Sequence, residues 1–383
     1  MLKKNKGILI TFLILFILSL IYCFLIQSSM HWYFTSYLLD YKNGFISRGF
    51  IGNIFQKIFP LDYSYRKNVT ILVKILWTII DIIYIYFFIK IGSKIKDKIT
   101  QRVFLLIGIS SFPILYIVPY LTLKLDFIWV YIYFICMFLL LKKGINILNS
   151  LIIIILSSIG ILSHQAFIFT TFPFIFLFII LDIYFTKEKK QIKNKILLVI
   201  FLSFAIFILF LICQFLGKVD INIISESVYD KLIKINQIKD EKEFEKSSFR
   251  AMLRFEYEID IFNHLKILKK DYFRNLGFSI IIFIISSINL VFYYEVFKEK
   301  LKKLSKYIFI ILGISQLPLY LLTSELIRWT LLFRFNLFIF LIFFIWKFKL
   351  FDFKSKFFNK YKLPMTIFTF LNLILSYCFC LEL

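Results

Sequence analysis

Long apolar runs alternate with short polar breaks along the whole of this 383-residue chain. Most of the runs are long enough for a helix to cross the roughly 30 Å hydrocarbon core of a membrane. They predict about eleven helices (ten to twelve), near residues 8–26, 69–91, 103–119, 127–141, 146–162, 165–185, 196–216, 276–297, 307–322, 331–346 and 364–380. We therefore expect an all-α polytopic membrane protein in which residues 1–383 form a single integral membrane domain.

The composition agrees with this pattern. Hydrophobic residues make up 60% of the chain and the mean hydropathy is +0.84, both far above the values of a soluble globular domain. The first apolar run follows three lysines and lacks a small-residue cleavage site, so we interpret it as a retained helix and not as a signal peptide.

Along the chain, strongly basic breaks alternate with breaks that carry little net charge. The N-terminus and the breaks at 90–102, 142–143, 187–195, 298–306 and 347–362 together hold 26 basic residues against four acidic ones. By the positive-inside rule these breaks are cytoplasmic, which places the N-terminus in the cytoplasm. Membrane topology and anionic lipid therefore account for the net charge of +24, and we expect no nucleic-acid partner.

Two longer segments fall on the opposite side of the membrane in this topology. The first is residues 27–68, which we call the 27–68 loop. The second is the long outer segment at residues 217–275, the 217–275 loop, whose 12 basic and 11 acidic residues leave it nearly neutral. Its apolar residues and its lack of a Gly/Ser/Pro tract predict a folded, mostly helical segment.

The 27–68 loop contains a glycine-broken stretch at residues 40–52, with one carboxylate and one guanidinium. Glycines allow a backbone to approach a ligand closely, and an arginine can grip a phosphate with its planar fork of donors. We predict that Asp40 is a catalytic general base and that Arg48 binds the substrate. The alternative is an interfacial loop in which Asp40 caps a helix or pairs with Arg48.

The 217–275 loop contains basic residues at intervals of four: Lys242, Lys246, Arg250 and Arg254. On one helix they would form a cationic stripe able to clamp a pyrophosphate, and we select the two arginines, Arg250 and Arg254, as substrate-binding candidates. The alternative is a surface helix with ordinary salt bridges, because acidic residues lie close by in the sequence.

Three further residues complete the predicted site. His164 lies with Gln165 between two apolar runs, where a broken helix can line a cavity, and is our second catalytic candidate. Glu325 and Arg328 precede another run and are predicted to bind the substrate. The alternatives are a hydrogen-bonded structural histidine and a simple Glu325–Arg328 pair. The sequence has no phosphate-binding loop, nucleophile elbow or zinc motif, so we expect neither a metal nor a cofactor.

The overall plan resembles that of Wzy-type O-antigen and capsule polymerases, and more broadly the GT-C membrane glycosyltransferases. The resemblance lies in the many helices, the long outer loop and its basic residues. It implies a GT-C-like enzyme of the bacterial inner membrane that polymerises oligosaccharide repeats carried on undecaprenyl pyrophosphate. An acceptor hydroxyl would attack the anomeric carbon while arginines stabilise the departing pyrophosphate. Membrane lipid and a chain-length regulator protein are the further partners that it implies.

Three other functions remain open at this point. A GT-C transferase that uses a polyprenyl-monophosphate sugar would share almost every feature described above. A membrane acyltransferase would use His164 as its base, together with an acid near it. A flippase for lipid-linked oligosaccharides would be expected to show repeated halves and more charges within its spans.

Overall fold

The computed structural model describes residues 6–25, 34–42, 44–46, 48–111, 126–217, 220–250, 253, 276–277, 280, 289–322, 326–361 and 367. Within these residues the chain is helical apart from turns and short connections, and it contains no β-strand. The all-α fold class is therefore confirmed for this part of the chain.

The helices coincide largely with the predicted apolar runs. In chain order they are α1 Lys6–Leu25, α2 Gly49–Ile58, α3 Tyr65–Gly92, α4 Lys98–Ser111, α5 Asp126–Lys143, α6 Ile147–Ser163, α7 Phe167–Thr170, α8 Phe172–Tyr184, α9 Lys189–Leu216, α10 Ile221–Lys234, α11 Glu241–Lys246, α12 Ser305–Leu322, α13 Leu326–Phe348 and α14 Lys356–Lys360. Residues 289–301 are also helical. The predicted helix at 364–380, apart from residue 367, lies outside the described residues, as does the second part of the run at 103–119.

Three helices of the described chain are long and apolar enough to cross a membrane: Tyr65–Gly92, Lys189–Leu216 and Arg328–Phe348. They differ in how much protein covers them. In the most apolar stretch of Lys189–Leu216 only 22% of the residues are buried, against 83% for Arg328–Phe348. An apolar helix with so little protein around it fits a lipid-facing position. The total of eleven spans stays a prediction.

The prediction of one helix over 165–185 is wrong, because the structure divides this run. α7 ends at Thr170, and α8 begins at Phe172 with Pro173 in its first turn. Proline has no backbone N–H to continue the preceding helix, and its ring would clash with the carbonyl four residues before it in a continuous helix. A proline near the start of a new helix costs little, so the chain begins α8 there.

Contacts along the chain divide it into two compact units. Unit 1 comprises Met1–Gln27, Thr78–Pro119 and Leu268–Leu383. Unit 2 comprises Ser28–Trp77 and Tyr120–Ile267. Both predicted loops, 27–68 and 217–275, fall almost entirely within unit 2.

Unit 1 is built around α4, which packs against α1, α13 and α14. Rings of Phe88, Phe104 and Phe338 meet at its centre, with 5.1 Å between the centroids of the last two. Gly108 makes this possible, because a Cβ atom there would lie 2.3 Å from the Phe88 ring. The guanidinium of Arg334 in α13 donates to the Ser110 carbonyl over 3.1 Å.

Unit 2 is built around α6, which packs against α2, α5 and α9. A partly buried ion pair lies beside the turn between α5 and α6. Asp182 accepts from the backbone N–H of Ile145 over 3.0 Å and from Lys195 over 2.8 Å. Gly144, with a φ of +61°, lies beside the carboxylate, and a Cβ atom there would be 2.6 Å from it. The pair therefore fixes the turn between α5 and α6 against α8 and α9.

Gly52 in α2 allows the closest backbone approach in unit 2. A Cβ atom there would lie 2.0 Å from the Leu39 carbonyl oxygen and 2.9 Å from that of Ser36. Both atoms belong to the backbone, so neither can turn away as a side chain would. We infer that Gly52 allows α2 to pack closely against the segment that leads to Asp40.

We expect Gly52→Ala to lower the free energy of unfolding by about 3 kcal/mol, near the upper end of the range for overpacking. Chemical unfolding of the purified chain in detergent measures this change. Gly313→Ala is the matched control, because no atom lies within 4 Å of a Cβ there. That control is expected to leave stability unchanged or raise it by roughly 0.5–1 kcal/mol. Equal effects of the two substitutions would contradict the packing role of Gly52.

Candidate functional site

The stretch at 40–52 is a folded loop that leads into α2. Its turns are closed by backbone hydrogen bonds from Gly44 to Tyr41 over 3.3 Å and from Gly49 to Ile46 over 3.0 Å. Gly44 has a φ of +112° and Arg48 a φ of +79°. Glycine adopts such angles freely, whereas other L-residues bear a cost of roughly 1–2 kcal/mol in the left-handed region.

Asp40 is buried, and both of its carboxylate oxygens accept hydrogen bonds. Oδ1 accepts from the backbone N–H of Lys42 over 3.1 Å. Oδ2 accepts from Nζ of Lys231 over 2.8 Å, and the same ammonium donates to the Leu38 carbonyl over 2.6 Å. Asp40 is 5% exposed, so this is a buried ion pair. It joins the 27–68 loop to α10 of the 217–275 loop.

The electrostatics of Lys231 follow from its surroundings. Burial lowers the pKa of its ammonium group, and the hydrogen bond to Asp40 opposes that change. The charges of Lys42 and Lys234 lower the same pKa further. A buried ammonium among other cations is stabilised mainly by its carboxylate partner, so Lys231 depends on Asp40.

Lys231 is the residue that the sequence analysis missed. It lies on the stripe of α10 that also carries Ile224 and Val228, both of them buried, and that continues to the buried Ile235 just past the end of the helix. A lysine at a position where helical spacing calls for an apolar residue was the available signal. A second hydrogen bond joins the same two loops, because Arg66 of the 27–68 loop donates to the side chain of Gln237 in the 217–275 loop.

Arg48 lies at the N-terminus of α2, beside Asp40. A Cβ atom on the next residue, Gly49, would be 3.3 Å from the Asp40 carbonyl oxygen. The Asp40 carboxylate pairs with Lys231, and the alternative in which it pairs with Arg48 stays a prediction. Arg48 and Lys231 belong to two different segments of the chain.

The predicted cationic stripe is wrong as a single helical surface. α11 ends at Lys246, and Ser247 has extended backbone with a ψ of 158°. The hydroxyl of Ser247 donates to the Phe244 carbonyl and accepts the backbone N–H of Arg250, so a new turn begins there. Arg254 lies outside the described residues.

Arg250 is buried and links α10 to the end of α11. Its Nε donates to Glu245 over 3.1 Å, and its Nη1 donates to the hydroxyl of Ser225. Two of its donors therefore face groups of the 217–275 loop itself. In this arrangement Arg250 stabilises the loop that carries Lys231.

His164 lies where α6 ends, with extended backbone at a φ of −170°. Its Nδ1 accepts the backbone N–H of Ala166 over 3.1 Å, and its ring meets the edge of Trp129 at 5.5 Å. Trp129 in turn donates to Ser163 over 2.9 Å. Since Nδ1 already accepts a hydrogen bond, His164 would have to give up that contact to take a proton there.

The last two predicted residues belong to unit 1. Arg328 is buried, and its guanidinium carbon lies 4.4 Å from the centre of the Trp329 ring. Stacking of this kind holds a guanidinium in a fixed orientation. Glu325 lies outside the described residues, as does any contact that it makes.

The arrangement in unit 2 combines one carboxylate with several cations. Asp40, Lys42, Arg48, Lys231 and Lys234 come from two loops, and we call them the Asp40 site. Its chemistry suits the binding of an anion and the acceptance of a proton by a carboxylate. Among the described residues no group of three His, Cys, Asp or Glu side chains is placed to hold a metal ion.

A double-mutant cycle tests the Asp40–Lys231 pair. Asp40→Asn and Lys231→Met should each lower the free energy of unfolding by about 3–5 kcal/mol, because each leaves an uncompensated buried group. The double variant should cost clearly less than the sum of the two. The measurement is chemical unfolding in detergent, and the mixed pair Asp40→Asn with Lys195→Met provides the additive reference. Additivity of Asp40→Asn and Lys231→Met would show that the two residues are not coupled.

Comparisons of this chain with models of known protein families, with curated proteins and with solved structures found no match. The residues of the Asp40 site and the distribution of apolar and charged positions are therefore the features of this chain that indicate a function. Fold-level likeness alone would in any case leave the chemistry open, because function depends on the site.

Proposed function

We propose that this chain is a GT-C-like membrane glycosyltransferase that polymerises oligosaccharide repeats carried on undecaprenyl pyrophosphate. The reaction takes place at the outer face of the bacterial inner membrane, as in the Wzy-type polymerases that the chain resembles. The observation that carries the proposal is the Asp40 site, where a carboxylate and cations from both predicted outer loops come together.

The proposed reaction transfers a glycan from one lipid carrier to another. A hydroxyl oxygen of the acceptor sugar forms a bond to the anomeric carbon of the donor glycan. The bond between that carbon and the pyrophosphate oxygen breaks, and the pyrophosphate leaves with the electron pair. The hydroxyl proton passes to a carboxylate, for which Asp40 is the candidate. The reaction needs no oxidant, nucleotide or metal.

The contacts of Asp40 support its proposed role as the proton acceptor. Its carboxylate accepts a hydrogen bond from the Lys231 ammonium and one from the backbone N–H of Lys42. Each carboxylate oxygen has two lone pairs, so each keeps one beyond the bond described. Because Asp40 is buried, the acceptor hydroxyl has to enter the loop to reach it.

The remaining predicted residues keep the roles predicted from the sequence. Arg48 and Arg254 are proposed to stabilise the charge of the departing pyrophosphate, and Arg328 and Glu325 are proposed to bind the substrate. Arg250 acts by holding α10 in place, through Ser225 and Glu245. His164 is the second candidate for the acceptor proton. A chain-length regulator protein remains the proposed protein partner.

Deletion of the gene, followed by electrophoresis of the surface polysaccharide, tests the proposal. A product that carries a single repeat supports a polymerase. Loss of all product indicates a flippase or an early transferase, and a ladder with an unchanged number of repeats overturns the polymerase proposal. A uniform shift of every band by one sugar indicates the transferase that uses a polyprenyl-monophosphate sugar.

Variants of the site residues, expressed in the deletion strain, test which residues carry out the proposed reaction. We expect Asp40→Asn and the double variant Asp40→Asn/Lys231→Met to give only single-repeat product, because neither has a basic carboxylate. Arg48→Asn should shorten the ladder strongly, and asparagine tolerates the left-handed backbone at this position. Gel analysis is normalised to the amount of folded protein in the membrane.

Asp182→Asn/Lys195→Met is the matched control for these variants. It removes a second ion pair of unit 2, which is partly buried and lies beside the turn between α5 and α6. We expect it to keep the normal ladder per folded molecule. A normal ladder from Asp40→Asn/Lys231→Met would remove Asp40 from the catalytic role and leave the pair with a structural one.

A further inference from the structure

Lys231 has a donor that its protein partners leave unused. Its ammonium donates to the Leu38 carbonyl and to Asp40. An ammonium group carries three N–H donors, so the third has no acceptor among the described residues. The side chain is 5% exposed, which leaves little access to water. A buried donor without a partner costs roughly 1–3 kcal/mol, and a ligand oxygen would remove that cost.

Other cations surround Lys231. Lys234 follows it by three positions on α10, so the two side chains are neighbours on one face. Lys42 is fixed to the same carboxylate through its backbone N–H. Both lysines are exposed, and within the described residues neither ammonium group forms an ion pair or a hydrogen bond. Their charges are therefore available to a ligand.

The charges in this region do not cancel. Lys42, Arg48, Lys231 and Lys234 contribute four positive charges, while Asp40 and the nearby Asp230 contribute two negative ones. The difference, 4 − 2, leaves a net charge of +2 for these six residues, which come from both the 27–68 loop and the 217–275 loop. Like charges held together destabilise one another, and a bound dianion relieves that repulsion.

Tyr41 adds a hydroxyl to the same loop. Its ring lies against Gly49, where a Cβ atom would be 2.9 Å from Cε1, and it stacks on Phe45 at 5.7 Å. The hydroxyl is buried and has no hydrogen-bond partner among the residues that the structure describes. Burial raises the pKa of Tyr41 to about 12, so the group stays protonated and can donate.

We infer that Lys42, Lys231 and Lys234, with Arg48 and Tyr41, form a binding site for a phosphate or pyrophosphate group. Asp40 is the positioning residue that holds Lys231 in this site. Lysine suits a phosphate as a compact point charge, and arginine adds a planar fork of donors. The inference deepens the proposed function and rests on it for one point, that the phosphate belongs to a lipid carrier.

Binding of inorganic pyrophosphate and of farnesyl pyrophosphate to the full chain in detergent tests the site by isothermal titration. We expect the wild type to bind both probes. Lys42→Gln/Lys234→Gln should bind each of them at least tenfold more weakly. This variant spares the buried Asp40–Lys231 pair, so it is expected to fold, and circular dichroism verifies that.

Lys57→Gln/Lys67→Gln is the control with an equal loss of charge. Both residues are exposed lysines of the 27–68 loop, and Lys57 lies near the far end of α2 from Arg48. Binding should be unchanged in this variant. Failure of the wild type to bind either probe, or equal weakening in both double variants, overturns the site.

The two probes separate the sources of the phosphate. Binding of farnesyl pyrophosphate at least tenfold tighter than that of inorganic pyrophosphate supports a lipid headgroup, whereas equal affinities support a site for free phosphate. A different result would overturn the polymerase proposal without affecting the phosphate site. If the gene deletion leaves the polysaccharide ladder unchanged while Lys42→Gln/Lys234→Gln still loses pyrophosphate binding, the site stands and the proposed function does not.

Discussion

The buried pair of Asp40 and Lys231 is the constraint on which the described part of unit 2 depends. It joins residues that are 191 positions apart, one in the 27–68 loop and one in the 217–275 loop. Either charge alone would be buried without compensation, at a cost of several kcal/mol. α10 therefore cannot leave the loop unless both charges reach water. The close approach of Gly52 to Leu39 holds the same loop from its other side.

The helices could be predicted from the sequence because an apolar run has to satisfy its backbone hydrogen bonds internally. Their lengths and most of their ends follow from that rule. The division at Thr171 shows what the rule omits, since Pro173 sets a local boundary inside a uniformly apolar run. The two units could not be predicted, because apolar helix faces made of Phe, Ile and Leu do not identify their partners.

The site was partly predictable for a similar reason. The glycines of the 40–52 stretch indicated an irregular backbone, and Gly44 and Arg48 do have positive φ. The partner of Asp40, Lys231, was not predicted because the sequence contains many lysines. The distinguishing signal was its position on an apolar stripe of α10. The prediction of a cationic stripe through Lys246 and Arg250 was wrong because it assumed one continuous helix. The helix is interrupted at Ser247, whose hydroxyl bonds to the backbone on both sides.

The glycines of the loop do not all serve one purpose. Gly52 is needed for packing, and Gly44 for a turn with positive φ. Arg48 also has positive φ, at a position where glycine would avoid a cost of roughly 1–2 kcal/mol. Strained backbone persists where the surroundings determine it, and it clusters at ligand sites. Because glycine would suit this backbone better, what the position supplies is the guanidinium, carried by the residue that precedes α2.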